Sequence, residues 1–98
     1  MHDNEVQLSG QLVERDALRH TPAGIPILAF TLKHESTQIE EGVPRQVALE
    51  LDGLAVGEVA RRMEALARGR KIQLQGFLTN RSRHSRRLVL HVNRFELV

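Results

Sequence analysis

The hydrophobic period of this chain changes once and then changes back. Up to Asp52-Gly53 the apolar residues recur at every second position; from Val56 they recur at helical spacing for one stretch; from Lys71 the two-residue period returns. Such a chain has one helix to place among strands, and its sheet has to bury one face around a core small enough for the chain's 98 residues.

Taken in order, Val6–Leu12 sets Val6, Leu8, Gly10 and Leu12 on one side and Gln7, Ser9 and Gln11 on the other. Val13 breaks the phase, and a glycine in mid-pattern at Gly10 points to a bulge or bend there. The strand is expected to resume through Leu18. Thr21-Pro22-Ala23-Gly24-Ile25-Pro26 is a turn cluster. Ile27–Glu35 reads as a second strand with Leu28, Phe30 and Leu32 facing inward. Thr37–Pro44, with Glu40-Glu41-Gly42, reads as a polar loop. Arg45–Asp52 is the third strand, with Val47, Leu49 and Leu51 on its core face, stopped by Asp52-Gly53.

Val56, Val59, Ala60, Met63, Leu66 and Ala67 then fall on one helical face. Glu58–Arg62 and Glu64–Arg68 are i,i+4 pairs in the favourable order, and Gly69 stands where a left-handed C-terminal cap is wanted. Lys71–Thr79 is a fourth strand, with Ile72, Leu74, Gly76 and Leu78 inward and Phe77 outward. Asn80–Arg87 is a polar connection. Leu88–Leu97 is a fifth strand whose phase shifts between Val92 and Phe95. Three strands, a helix and two strands is the order of the five-stranded oligonucleotide-binding (OB) barrel. The expectation is therefore an all-β OB-fold barrel over residues 1–98, all antiparallel, with one short helix between strands three and four. The bent first strand suits a barrel in which one strand serves both halves of the sheet.

Charge is distributed unevenly. Residues 68–98 hold eight Lys/Arg and one acid, whereas residues 1–67 hold six Lys/Arg and eleven acids. The modest overall charge of +2 conceals this dipole. A one-sided basic surface on a small domain is the footprint of a polyanion partner, most often nucleic acid. Asn80-Arg81-Ser82-Arg83-His84-Ser85-Arg86-Arg87 concentrates it, with four Arg and no acid in the loop that flanks the binding face of an OB barrel. Arginine suits phosphate through charge and bidentate donors. The intervening serines add neutral donors and are expected to leave the loop flexible. Candidate contacts are Arg81, Arg83, Arg86 and Arg87, joined by Lys33, His34 and Arg45, which are expected to point outward or sit at strand ends, and by Phe77 as the one outward aromatic on which a base could stack.

Other chemistry is missing. There is no Cys, which excludes disulfides and thiolate zinc sites. There is no phosphate loop, no Gly-x-Gly-x-x-Gly and no Gly-x-Ser-x-Gly, and His34-Glu35 lacks the second histidine of a zincin helix. The five histidines are dispersed. A non-enzyme without cofactor or metal is expected. The polar Met1-His2-Asp3-Asn4-Glu5 start and the lack of a long apolar run lead to an expected cytoplasmic protein without a membrane partner.

Leu8-Ser9-Gly10, Thr21-Pro22-Ala23-Gly24-Ile25-Pro26, Phe30-Thr31-Leu32-Lys33-His34-Glu35-Ser36, Gln38, Arg45-Gln46, Gln75-Gly76-Phe77 and Leu88-Val89-Leu90-His91 together resemble the family of primosomal replication protein N, relatives of single-stranded DNA-binding protein. The likeness runs in order over nearly the whole chain, and the Gly-Ile-Pro block followed by Phe-x-Leu-x-His-x-Ser-x-Gln is its most specific part. The resemblance implies a homodimer of OB domains that binds single-stranded DNA in the replication-restart primosome, with the restart helicase (primosomal protein N′) and a helicase-loading factor as partners. It implies basic contacts at Arg81, Arg83 and Arg87, with Arg19 and Arg45 nearer the first and third strands. The chain departs from the family pattern at Val43 and Ala48, where well-studied members carry aromatics, and at Glu35, where they carry a basic residue. Two other readings stand beside single-stranded DNA binding: a primosomal protein–protein adaptor with weak DNA affinity of its own, and an RNA-binding OB domain.

Overall fold

The computed structural model describes residues 3–98. Its strands are β1 (Val6–Arg15), β2 (Arg19–His20), β3 (Pro26–Glu40), β4 (Val43–Val56), β5 (Lys71–Asn80) and β6 (Leu88–Leu97), with α1 (Glu58–Glu64) between β4 and β5. The strands hydrogen-bond in the order β1-β5-β6-β4-β3-β2, and β1 also pairs with β3, which closes the five long strands into a barrel. The two-residue β2 only extends the edge of β3, Arg19 facing Ile27 and His20 facing Pro26. A closed barrel of five strands with one short helix after the third long strand is thus as expected.

The expectation of a wholly antiparallel barrel is overturned. β4 and β6 run parallel from Gly53↔Leu90 to Ala55↔Val92. The reason is a matter of counting: strand directions cannot alternate all the way round a ring of five, so one neighbouring pair has to be parallel.

β1 serves two partners. Val6–Gln11 pairs with β5, and Gln11–Arg15 with β3, the register slipping between Leu12 and Glu14. The bulge therefore sits at Val13, where the phase broke, and not at Gly10. Gly10 has a different task. A Cβ there would run into the Lys33 carbonyl oxygen, so glycine lets β1 and β3 approach as they begin to diverge.

The largest departure concerns the expected loop over Thr37–Pro44. β3 and β4 form one continuous antiparallel hairpin from Ile27↔Val56 to Glu40↔Val43. Glu41 (φ 52°) and Gly42 (φ 75°) make the two-residue turn, and two successive positive φ angles match the right-handed twist of the flanking strands. Beyond Lys33 on β3 and before Gly53 on β4, this ribbon has no further strand neighbour among the described residues. It projects as an arm from a molecule 50 × 32 × 23 Å in extent. Nor does Asp52-Gly53 stop β4. Gly53 is buried where the Phe30 ring crosses the strand, and any side chain there would collide with that ring.

Leu12, Leu28, Phe30, Leu32, Ala55, Ile72, Leu74, Leu90, Val92 and Phe95 fill the barrel, and Ala60 and Met63 of α1 pack into the same core. The phase shift in β6 is a bulge opposite Gln75/Gly76: Gln75 faces Arg94 and Gly76 faces Val92, which leaves Asn93 as the extra residue and returns Phe95 to the core. The helix is shorter than its periodicity promised. Val56 belongs to β4, and the helix ends at Glu64 with an αR Ala65. Gly69 does not cap it; its N–H donates instead to the Leu12 carbonyl at 2.6 Å. Arg68 likewise turns from Glu64 to β1, donating from Nε to the Val13 carbonyl at 2.9 Å with Glu14 at 3.7 Å.

Candidate nucleic-acid interface

Three elements converge on one side of the barrel. Alternation along β3 and β4 turns Ala29, Thr31, Asp52 and Leu54 outward between the core residues. The end of β1 and the connection to β2 bring Arg15, Asp16 and Arg19 to one flank, and the β5–β6 loop brings Arg81 and Arg87 to the other. Between them lies a cleft of about 320 Å³, also lined by Glu14, Val89 and His91. It continues into an open trough along Glu50, Asp52 and Leu88.

The β5–β6 loop is a tied turn rather than the slack arm expected of it. The Arg81 N–H donates to the Arg87 carbonyl at 2.8 Å, the Ser85 N–H to the Ser82 carbonyl at 3.2 Å, and the Arg87 N–H to Ser85 Oγ at 3.0 Å. The serines hold the backbone in shape. As a result the four loop arginines part company: Arg81 and Arg87 line the cleft, while Arg83 and Arg86 lie exposed and outside its lining. Arg87 is engaged already, its guanidinium standing 2.8 Å from the Asp52 carboxylate of β4.

The remaining candidates divide. Arg19 lines the cleft. Lys33 points outward as expected but borders a separate depression with Gln11 and Lys71, and it lies 3.6 Å from Glu35. Arg45 sits out on the arm, its Nη1 donating to Glu40 Oε1 at 2.9 Å, and strand alternation puts it on the face opposite that of Asp52. Phe77 is outward and 37% exposed; its ring centroid lies 5.1 Å from that of His91, tilted by 33°, at the margin of the cleft that His91 lines.

His34 is a correction. It does not point outward: only 8% exposed, it faces inward where β1 and β3 separate. A carbonyl oxygen only accepts, so Nδ1 carries the proton and donates to Ser9 O at 2.6 Å. Nε2 lies 2.7 Å from Ser36 Oγ, which also receives Gln38 Nε2 at 3.1 Å. This histidine joins strands and lies outside the lining of the cleft.

Among the described residues no group of three or more His, Cys, Asp or Glu side chains is arranged to hold a metal, and no helix is long and apolar enough to cross a membrane. The chemistry on offer is four guanidinium groups and three carboxylates in the cleft, with the Phe77–His91 ring pair at its margin. That set suits a sugar–phosphate backbone with bases laid beside it.

Comparison with known proteins agrees. A family model described as "another single-strand binding protein family" matches residues 4–94. The replication restart protein PriB of Bordetella pertussis is 39% identical over 89 residues, covering 91% of this chain and 83% of that protein. The corresponding PriB of Neisseria meningitidis serogroup B is 34% identical over 94 residues, covering 96% of this chain and 93% of that one. The chain belongs to the PriB family of single-strand-binding-like proteins. The solved PriB of Ralstonia solanacearum superposes with a TM-score of 0.86 at 34% identity, covering 96% of both chains. The single-stranded DNA-binding protein of Thermus aquaticus superposes at 0.76 and 24% identity over 97% of this chain and 50% of its own; it shares the fold.

Placed in this PriB-family barrel, the residues missed in the sequence are Arg15, Asp52 and His91. Arg15 followed a broken alternation and carried no motif. Asp52 looked like the end of a strand, although one signal was available: i,i+2 spacing from Glu50 along β4 sets it on the outward face. His91 counted as one of five dispersed histidines, and its ring lies against Phe77, 5.1 Å between centroids.

Proposed function

We propose that this PriB-family protein is a non-catalytic single-stranded DNA-binding protein of the bacterial replication-restart primosome, and that it meets the strand in the cleft between β3–β4 and the β5–β6 loop. The observation that carries this reading is the convergence of Arg15, Arg19, Arg81 and Arg87 from two distant chain segments onto one outward-facing stretch of β3 and β4. Guanidinium groups drawn from distant segments to one groove supply the sequence-independent phosphate contacts that a single strand needs. Arg83 and Arg86, exposed at the turn beyond the cleft, extend the field outward. The PriB relatives, named for replication restart, and the single-strand-binding family model support the setting.

In the same reading the protein acts as a homodimer and passes its strand to, or recruits, the restart helicase and helicase-loading factor. A second reading has its own support. Glu14, Asp16 and Asp52 share the cleft with the arginines, and the aromatic rings of its lining are His91 and the buried Phe30, the exposed Phe77 standing only at its margin. These features favour an adaptor with weak affinity for free DNA, whose basic turn meets an acidic protein surface.

The test is a salt-dependent titration of labelled oligo-dT, alone and with the helicase. Tight binding by the protein alone, weakening linearly with log salt, supports the first reading. Binding only in the ternary mixture supports the second. Oligo-U competing better than oligo-dT would turn the assignment toward RNA.

A further inference from the structure

Of the three carboxylates in the cleft, one is placed differently from the others. Glu14 lies 3.7 Å from Arg68, a residue outside the cleft lining. Asp16 sits at the β1 end, where its backbone N–H donates to Ala29 O at 2.9 Å. Asp52 alone pairs with a guanidinium of the cleft, Arg87 at 2.8 Å. It is also the more sheltered member of that pair, its side chain 32% exposed against 63% for Arg87. It projects from β4 opposite Thr31, where the cleft meets the trough.

We propose that Asp52 is an internal stand-in for a phosphate: its carboxylate holds Arg87 in the unliganded protein, and a strand of nucleic acid has to displace it to use that arginine. The proposal rests on the single-strand reading above and names a residue that sets its strength. The chemistry of the swap is even-handed. A carboxylate and a phosphate diester each carry one negative charge and both accept two parallel N–H bonds from guanidinium. What the swap leaves behind is a carboxylate beside a polyanion, without its counter-charge, and that repulsion lowers affinity. An exposed ion pair is weak enough to be broken by a strand held at several other points, so the device attenuates binding without blocking it.

Compare wild type, Asp52→Asn, Glu50→Gln, Arg87→Gln and the Asp52→Asn/Arg87→Gln double variant by oligo-dT titration at low salt, with thermal melts to confirm folding and Asp52→Ser as a second neutral variant. Asp52→Asn and Asp52→Ser should bind about 3- to 10-fold tighter than wild type, beyond the gain from Glu50→Gln, which removes the same charge from the trough. In the Arg87→Gln background the gain should shrink to that of Glu50→Gln, because only general charge repulsion is left once there is no arginine to compete for. A gain no larger than that of Glu50→Gln, or one undiminished without Arg87, overturns the stand-in role and reduces Asp52 to ordinary background charge. If neither wild type nor Asp52→Asn binds oligo-dT at low salt, the single-strand reading falls, and this proposal with it.

Discussion

The His34 imidazole holds Ser9 of β1 to β3 through a 2.6 Å hydrogen bond at the point where the two strands part. Gly10 lets the backbones touch there, and β3 then leaves the barrel for the arm. Removing the ring would break both of its hydrogen bonds and empty a buried space at once. His34→Ala should therefore cost about 1–3 kcal/mol of unfolding free energy, measured in urea, while Lys33→Ala on the exposed side of the same strand should cost under about 0.5 kcal/mol. Equal losses would show that the hydrogen bonds carry no weight.

Gly53 and Phe30 supply a steric test. A methyl group at residue 53 would fall within the phenyl ring, so Gly53→Ala has to push Phe30 out of its place in the core. We expect a loss of about 1–3 kcal/mol, seen as a lowered urea midpoint. Gly53→Ala/Phe30→Leu should recover part of it, because leucine leaves room for the methyl group.

Reversing charge at Arg81, Arg83 and Arg87 to Glu should remove most oligo-dT binding while the melting transition stays close to wild type. If all three contact phosphate, the slope of log affinity against log salt flattens by about 2, at roughly 0.7 for each phosphate contact. Arg81→Glu should weaken binding more than Arg83→Glu, because Arg81 lines the cleft and Arg83 stands beyond it. The reverse order would move the strand off β3–β4 and onto the tip of the turn.

Stacking is open to improvement. Ala48 is exposed and shares its outward face with Glu50 and Asp52 along β4. Ala48→Trp should tighten oligo-dT binding by about 1–3 kcal/mol if a base passes over that position. Phe77→Ala, at the cleft margin, should weaken it by about 1 kcal/mol, the low end of the same range. Fluorescence quenching of the new indole by oligo-dT would report the contact directly.

Much of this could be read from the residues because each long strand buries one face only. Leu28, Phe30 and Leu32, or Ile72 and Leu74, announce both the strand and its inward side. Even the slip in β6 was visible as the shift from Val92 to Phe95. The arm was not, for a related reason. From Thr37 to Gln46 every residue is exposed, so Thr37, Gln38, Glu40 and Pro44 show no alternation and read as loop, although their backbones pair in full; Leu49, read as a core-face residue of the next strand, is itself 40% exposed. The parallel β4–β6 pair was hidden in another way: it follows from closing an odd number of strands and from no residue in particular. The cleft was half legible. Four arginines in eight residues marked the turn, but which of them meet Asp52 or face β3 depends on how Ser82 and Ser85 fold the backbone, and spacing does not encode that.

Strands β3 and β4 lead a double life. At one end each is a stave of the barrel, flanked on both sides and locked to the core. At the other each has a single neighbour and open water along its free edge. The outer part can fray, twist or tilt while the barrel stays shut. A polymer settling along it would stiffen that arm at the polymer's own expense while the barrel keeps its structure.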